Sequence, residues 1–206
     1  MRIRPAIATA LASTVVIVGG FLTIWQASDG FAAFTTETAR RLAVERAPRP
    51  IPAVDIVTGT GMGVPLLSAG RPLLVEFVYT SCPTICTSLG QEFLQIQSAL
   101  SARGLVDRVR LVSLSFDIER DTPARLAEYG RHHGADPVIW TVGRPRQAND
   151  LARLLVAFGV TVVPDGEGGF VHNAAIHYVG ADGRLSRIFD LGEADSILAH
   201  LETAAP

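Results

Sequence analysis

Residues 71–90 read RPLLVEFVYTSCPTICTSLG, and within this stretch the pattern changes from strand to helix. The first part, 71–80, is a short apolar run rich in strand formers, which predicts a buried strand. Over 83–102 apolar residues recur at helical spacing, and the proline at the start suits the first helical position. The sequence therefore predicts a strand that leads directly into a helix, with Cys82 at the junction.

The rest of the chain alternates in the same way, with a glycine-rich loop at 162–170. Strands are expected at 108–116, 137–143, 174–180 and 182–190, the last two forming a hairpin with its turn at 181–183, and helices are expected at 122–134, 146–159 and 193–204. The order β-α-β-α-β-α-β-β-α is typical of a mostly parallel sheet covered by helices, with an antiparallel pair at the end. We interpret it as α/β with a thioredoxin-like fold, in which a mixed sheet is flanked by helices and ends in a β-hairpin.

The N-terminus has a different character. Residues 6–25 carry no charge, and such a run is close to the ~20 residues of a membrane-spanning helix, whereas a cleaved signal has a shorter apolar region. We therefore expect residues 1–26 to form an uncleaved transmembrane signal-anchor. The nearest positive charges, Arg2 and Arg4, precede it, which favours a cytoplasmic N-terminus. The predicted localisation is the inner membrane, single-pass, with the soluble domain on the periplasmic side.

Residues 27–50 are expected to be a juxtamembrane linker, because the prolines of APRPIP (47–52) stop any helix. The folded domain is then expected at 51–206. The formal net charge is -2 and the sequence pI is near 6.2, so nothing indicates binding to nucleic acid.

All the sulfur nucleophiles lie within one helical turn, because Cys82 and Cys86 are the only two cysteines. Cys82 is at or near the helix N-terminus, where unpaired amides favour a thiolate, and Cys86 follows one turn later on the same face. The pair can chelate a soft metal, or it can form a disulfide, because Cα atoms across one turn are ~6 Å apart. The usual spacing for thiol–disulfide exchange is C-x-x-C, whereas this spacing is C-x-x-x-C.

A metal site needs a third ligand, and five histidines are available. His132 and His133 are expected to be solvated at a polar helix end, and His200 suits the last turn of the final helix. His172 and His177 are an odd number of residues apart, so a continuous strand would point them to opposite faces. His172, at the strand entrance, is therefore the expected ligand, and His177 is expected to pack or to face solvent.

The loop that enters this strand also discriminates between functions. Thioredoxins generally carry a cis-proline directly before the strand, which shapes a groove for dithiol exchange. Here the nearest proline, Pro164, comes too early, and a histidine stands next to the strand instead. Two thiolates and one imidazole suit Cu(I) or Zn; a closed structural zinc site wants four ligands, whereas Cu(I) accepts three.

Three segments resemble the Sco/SenC family of copper chaperones for cytochrome oxidase assembly. VEFVYTSCPTICTSLG (75–90) is similar to the family's F-x-Y-T-x-C-P-x-x-C-P segment. SLSFDIERDTPARLAEYG (113–130) resembles its S-x-D-P-x-R-D-T-P segment with the following helix. VHNAAIHYVGADGRL (171–185) resembles V-D-H-S-x-x-x-Y-L-x-x-x-D-G-R. The resemblance covers about 51–201. It implies that the metal ligands are Cys82, Cys86 and His172.

The chain departs from the family pattern at three positions. Thr87 and Ile118 each stand where a proline is usual, and Val171 stands where the family has aspartate before the histidine. Loss of that aspartate would change the surroundings that orient His172. Asp117 is expected either to touch the site or a partner, or to cap the turn that follows it.

The resemblance implies a membrane-anchored copper chaperone, with Cu(I) as the expected cargo and Cu(II) left open. It would bind copper through the two cysteines and the histidine and deliver it to a respiratory oxidase copper site during assembly. The implied partners are the copper-accepting subunit of the oxidase, a periplasmic copper donor or thiol reductant, and the membrane. The alternative is a thiol–disulfide oxidoreductase that keeps oxidase-subunit cysteines reduced, with Cys82 and Cys86 as its redox-active disulfide.

Overall fold

The computed structural model describes residues 5–68, 70–82 and 85–203. The chain divides into two units, Met1–Arg46 and Ala47–Pro206. The first unit contains helices α1 (Pro5–Ala27) and α2 (Thr36–Arg46). By length and composition α1 is able to cross a membrane, a test that a signal sequence also passes.

An eight-stranded sheet forms the centre of the second unit. Its strands are β1 (Arg49–Pro50), β2 (Asp55–Thr58), β3 (Gly63–Pro65), β4 (Leu73–Val78), β5 (Arg110–Ser115), β6 (Trp140–Pro145), β9 (Ile176–Val179) and β10 (Arg184–Phe189). A separate ribbon pairs β7 (Val162–Pro164) with β8 (Phe170–His172). The helices are α3 (Ile85–Ala102), α4 (Pro123–His132), α5 (Ala148–Phe158) and α6 (Ala194–Thr203).

The sheet order is β1-β10-β9-β4-β5-β6-β2-β3, with β4, β5 and β6 parallel and the other pairs antiparallel. The predicted mixed sheet with flanking helices and a terminal hairpin is therefore confirmed as a thioredoxin-like fold. Strands β1, β2 and β3 were not predicted, because they are short and none forms a continuous apolar run. The first of them already joins the sheet before Ile51, where the domain was expected to begin.

Strand β6 begins three residues later than predicted. The amide of Val138 donates to the Asp136 carboxylate at 2.9 Å, and the amide of Trp140 donates to the Asp136 carbonyl at 2.7 Å. These bonds hold the first residues of the predicted strand in a turn. An apolar run without periodicity gave no sign of that turn.

The glycine-rich segment is a β-ribbon rather than a loop. Val163 pairs with Val171 across it, and the Asp165 carboxylate closes its turn by accepting from the amides of Glu167 and Gly169 at 2.8 and 2.9 Å. Strand β8 ends at His172, four residues before β9 begins. His172 and His177 therefore lie on different strands, so the alternation of faces along one continuous strand does not relate them.

Strand β4 is buried at all six positions, between parallel β5 and antiparallel β9. A strand covered on both faces needs apolar side chains at successive positions, which explains the run that marked it in the sequence. Because β4 and β5 are parallel, their C-terminal ends lie at the same sheet edge. The segment that contains both cysteines, residues 80–86 and called the thiol segment below, follows β4 there. The turn 117–121 follows β5.

One predicted surface histidine is buried. His132 is exposed as expected, but His133 has only 9% of its surface accessible. Its ring lies 4.3 Å from the ring of Tyr129, centroid to centroid, and it packs directly onto Gly90 of α3. The polar sequence around it gave no sign of this contact, because the contact depends on how α4 ends beside α3.

Gly90→Ala is expected to destabilise the domain. A Cβ at this position would lie 2.3 Å from Nδ1 of His133, and overpacking of this kind costs about 1–3 kcal/mol. Without the contact, Gly→Ala in a helix interior would stabilise by about 0.5–1 kcal/mol. Urea unfolding of the full chain in detergent measures the difference. In a His133→Ala background Gly90→Ala should be neutral or stabilising, and an equal loss in both backgrounds would contradict the contact.

Candidate metal centre

The two thiols lie at the C-terminal end of β4, where the chain turns into α3. The amide of Cys82 donates to the carbonyl of Tyr79 at 3.2 Å, and the amide of Cys86 donates to Sγ of Cys82 at 3.4 Å. An amide of the first turn of α3 therefore faces the Cys82 sulfur. Pro83, expected at the first helical position, and Thr84 lie outside the described residues.

The two sulfurs differ in their surroundings. Both are free thiols; Cys82 is half-buried and Cys86 is buried. Burial raises the pKa of the Cys86 thiol, and its hydrogen bond with Cys82 raises that pKa further. Cys86 is therefore protonated at neutral pH in this arrangement, and a metal ion would have to displace that proton.

The two nitrogens of the His172 imidazole have different surroundings. Nε2 lies 3.0 Å from the main-chain carbonyl of Phe77. A carbonyl only accepts, so Nε2 carries the hydrogen and Nδ1 carries the lone pair. Nδ1 is buried and has no hydrogen-bond partner among the residues that the structure describes. Burial also lowers the pKa of His172, which keeps the ring neutral. A ligand histidine has this arrangement: one nitrogen held by a carbonyl and the other free for a metal.

The three predicted ligands are not joined in one cluster. Across residues 5–68, 70–82 and 85–203, no three His, Cys, Asp or Glu side chains form a group able to hold a metal ion. The structure brings Cys82 and Cys86 together. It places His172 on β8, half-buried, with its ring turned toward the end of β4 rather than to solvent. The three-ligand set stays a prediction.

Tyr79 links the thiol segment to the ribbon that carries His172. Its hydroxyl donates to the carbonyl of Phe170 at 3.4 Å and accepts from the amide of the same residue at 3.3 Å. Burial raises the pKa of Tyr79, and so does its interaction with Cys82. The Tyr79 side chain, only 3% exposed, therefore contacts both the first sulfur and the strand of the expected third ligand. No role was predicted for Tyr79, although its place three residues before Cys82 is visible in the sequence.

Arg120 holds the same ribbon from the other side. It donates to the carbonyl of Gly168, and its guanidinium lies 5.1 Å from the ring centroid of Phe170. Buried Asp117 accepts from Nε of Arg120 and from its amide, the latter at 3.3 Å. Of the two roles expected for Asp117, the structure shows the cap of the following turn, and through Arg120 it also supports the ribbon.

The replacement of the family aspartate has little direct effect on the imidazole. Val171 is 64% exposed, opposite Val163 on the ribbon. The ring of His172 is oriented instead by the carbonyl of Phe77 and by the ring of Phe116, 5.1 Å away between centroids.

The remaining histidines belong to packing contacts. His177 is fully buried, with Nδ1 at 3.2 Å from the carbonyl of Val75, so of the two alternatives expected for it, packing or facing solvent, the structure shows packing. His200 packs its ring against Tyr178, with the ring centroids 4.6 Å apart.

A buried carboxyl group below the thiol segment was missed. Glu76 is fully buried in the middle of β4, and the hydroxyl of Ser113 donates to it. The indole of Trp140 donates in turn to Ser113 at 2.7 Å. Burial raises the pKa of Glu76 to about 8, and the charge of Glu92 also raises it. An acidic residue inside the apolar run LLVEFV was the available signal.

Comparison with known proteins points to one protein family. The SCO1/SenC family model matches residues 67–205. The chain is 24% identical to the SCO1 protein homolog of Bacillus subtilis (strain 168) over 141 residues, which is 66% of this chain and 72% of that protein. The structure of Bradyrhizobium japonicum ScoI with copper bound superposes with a TM-score of 0.63 at 27% identity, covering 74% of this chain and 98% of that one. Yeast Sco1 with copper bound gives a TM-score of 0.62 at 18% identity, covering 77% and 92%.

Tyr79→Phe is expected to loosen the ribbon. The amide of Phe170 would lose its acceptor, and a hydrogen bond of this kind is worth about 1 kcal/mol net. Hydrogen exchange over 170–172 should therefore accelerate by about fivefold, measured by mass spectrometry. Tyr178→Phe on β9 is the matched control and should leave these amides unchanged. Equal protection in wild type and Tyr79→Phe would show that the hydroxyl does not hold the ribbon.

Glu76→Gln is expected to change how stability depends on pH. Between the ordinary carboxyl pKa of 4.5 and the raised value of about 8, the folded protein keeps a proton that the unfolded chain has lost. The free energy of unfolding therefore falls as pH rises through this window, by up to about 1.4 kcal/mol per pH unit. The contribution of protonated Glu76 to the free energy of unfolding is fully present below pH 4.5 and is lost above about pH 8. Urea unfolding of the metal-free reduced protein, repeated across this pH range, should show that the free energy of unfolding falls with pH more steeply in wild type than in Glu76→Gln. The same dependence on pH in both proteins would contradict the raised pKa of Glu76.

Proposed function

Because the chain belongs to the SCO1/SenC family, we propose that it is a membrane-anchored copper chaperone. It binds copper through Cys82, Cys86 and His172 and delivers it to a copper site of a respiratory oxidase during assembly. Copper is the cargo of this protein, so the site has to bind it and also release it to a partner.

The observation that carries this proposal is the free lone pair on Nδ1 of His172. A buried nitrogen without a hydrogen-bond partner costs about 1–3 kcal/mol, and a metal ion would remove that cost. The other two donors, Cys82 and Cys86, are thiols four residues apart where the chain enters α3. Two thiolates and a neutral imidazole form a soft donor set that suits Cu(I).

Cu(I) binding by this set requires the loss of thiol protons, and the rise in the pKa of Cys86 makes binding depend on pH. The ribbon that carries His172 is held to the thiol segment by Tyr79, and in this proposal an approach of β8 toward the thiols completes the set. Half-buried Cys82 is the donor that an incoming thiolate reaches first. Transfer then proceeds by exchange of ligands between the two proteins.

The location follows from α1. Its apolar stretch, Ala6–Ala27, suits an inner-membrane anchor as well as a signal sequence. With Arg2 and Arg4 on the cytoplasmic side, the folded unit lies in the periplasm, where it meets a copper donor or thiol reductant and the copper-accepting oxidase subunit. No part of this proposal involves nucleic acid.

The alternative, a thiol–disulfide oxidoreductase, uses the same cysteines but gives no role to His172. Two features support copper over that alternative. Nδ1 of His172 is buried and has no hydrogen-bond partner among the described residues, and the related Bradyrhizobium japonicum structure has copper bound.

His172→Ala is expected to weaken Cu(I) binding strongly. Wild type should bind one Cu(I) per chain. Loss of a residue that only orients a metal ligand reduces metal affinity by about 10–100-fold, so loss of a direct ligand should reduce it by at least about tenfold. Competition against a Cu(I) chelator measures this with the reduced full chain in detergent. His132→Ala, on an exposed imidazole of α4, is the matched control and should leave affinity unchanged.

An unchanged affinity in His172→Ala would remove the imidazole from the copper site. Metal-independent turnover of a disulfide substrate, equally fast in wild type and His172→Ala, would favour the oxidoreductase instead.

A further inference from the structure

A buried carboxylate joins the three chain segments that meet beside the thiols. Asp121 has no accessible surface. Its Oδ2 accepts from the amide of Thr80 at 2.9 Å and from the hydroxyl of Ser115, and its Oδ1 accepts from the hydroxyl of Thr80 at 2.6 Å. Its own amide donates to the carbonyl of Asp117 at 2.9 Å. One side chain therefore links the end of β4, the end of β5 and the start of α4.

The hydrogen bonds that the Asp121 carboxylate accepts are more than the turn before α4 needs. Moving a carboxylate out of water costs several kcal/mol, and only good hydrogen bonds offset that cost. All three donors to Asp121 are neutral groups, and two of them belong to Thr80. The cap of α4 is supplied separately, by the hydroxyl of Thr122, which accepts from the amide of Arg125. The bonds of Asp121 are thus directed at the thiol segment and the end of β5.

Thr80 lies two residues before Cys82, and both line the same open cavity of about 400 Å³. The main chain between them is short, and the amide of Cys82 is already bonded to the carbonyl of Tyr79. When both the amide and the hydroxyl of Thr80 are held, Cys82 has little freedom to move relative to Cys86. The same contact holds the cavity wall through which a partner would reach the first sulfur.

We infer that Asp121 is a positioning residue for the thiol pair, which it holds through Thr80 at the separation that chelation and disulfide formation both require. The role in chelation rests on the proposed function, whereas the role in disulfide formation does not. A site whose donors are held in place beforehand binds more tightly, because less conformational freedom is lost on binding. Removal of the carboxylate should therefore weaken every reaction that needs the two sulfurs together.

The first measurement is the equilibrium of the thiol pair with glutathione. Oxidised glutathione accepts two electrons and two protons from Cys82 and Cys86, its S–S bond breaks, and one S–S bond forms between the two cysteines as two reduced glutathione molecules leave. The constant for this exchange reports how well the protein holds the sulfurs together. The second measurement is Cu(I) affinity by chelator competition. Both use the full chain in detergent.

Asp121→Ala should lower both constants by at least about tenfold, which for the disulfide is about 30 mV. Asp121→Asn should stay within about threefold of wild type, because its carbonyl still accepts from the Thr80 amide and the Thr80 hydroxyl can rotate to accept from its amide group. Thr80→Val removes only the hydroxyl and should lower both constants by about threefold; it serves if Asp121→Ala does not fold.

Leu154→Ala is the control for general destabilisation, since Leu154 is fully buried on α5. It should lower stability by about 2–5 kcal/mol and leave both constants unchanged. Wild-type constants in folded Asp121→Ala and Thr80→Val would overturn the inference. So would the same losses in Leu154→Ala, or an Asp121→Asn as weak as Asp121→Ala.

The two proposals fail in different ways. If wild type binds no Cu(I), the proposed function fails, while the glutathione constants still test Asp121. If wild type binds Cu(I) and Asp121→Ala matches it in both constants, only the positioning role fails.

Discussion

The hydrogen bond between Nε2–H of His172 and the carbonyl of Phe77 determines which nitrogen is free to bind a metal. The carbonyl is fixed because it belongs to β4, which is buried along its whole length between β5 and β9. The rest of the site is arranged around the end of this strand. The thiol segment leaves from it, the ribbon rests against Tyr79 just beyond it, and a buried carboxyl group, Glu76, lies within it. A change in the position of β4 would therefore alter all of them together.

Two kinds of contact act on the thiols and differ in strength. Asp121 accepts hydrogen bonds from the amide and the hydroxyl of Thr80, at 2.9 and 2.6 Å, in a fully buried position. The ribbon that carries His172 is held by the longer bonds of Tyr79 and by Arg120 near the surface. Copper, the proposed cargo, has to enter and leave the site. We therefore expect His172, on the ribbon near the surface, to be the ligand that moves. Under the proposed function, the thiols would keep the metal while the imidazole joined or left, which would allow both binding and release.

The sequence predicted the parts of the structure that local pattern determines. The buried strands around β4 and β5, the helices α3 to α6 and the terminal hairpin all follow from periodicity and from caps such as Thr122. The short edge strands and the β7–β8 ribbon were missed, because their pairing partners, not their own residues, make them strands. The burial of His133 and the bond from His172 to Phe77 depend on tertiary contacts. The positions of Cys82, Cys86 and His172 in the sequence led to their prediction as ligands. The sequence did not show that, among the described residues, the three side chains do not form one cluster.

The most direct test of this account is nitrogen NMR of the full chain labelled with ¹⁵N at histidine, titrated with Cu(I), which is diamagnetic. The account predicts that the Nδ1 resonance of His172 shifts on binding while Nε2 keeps its proton and its bond to Phe77. The other four histidines should show no comparable change. An Nδ1 resonance that stays at its metal-free position at full Cu(I) occupancy, or loss of the Nε2 proton instead, would contradict it.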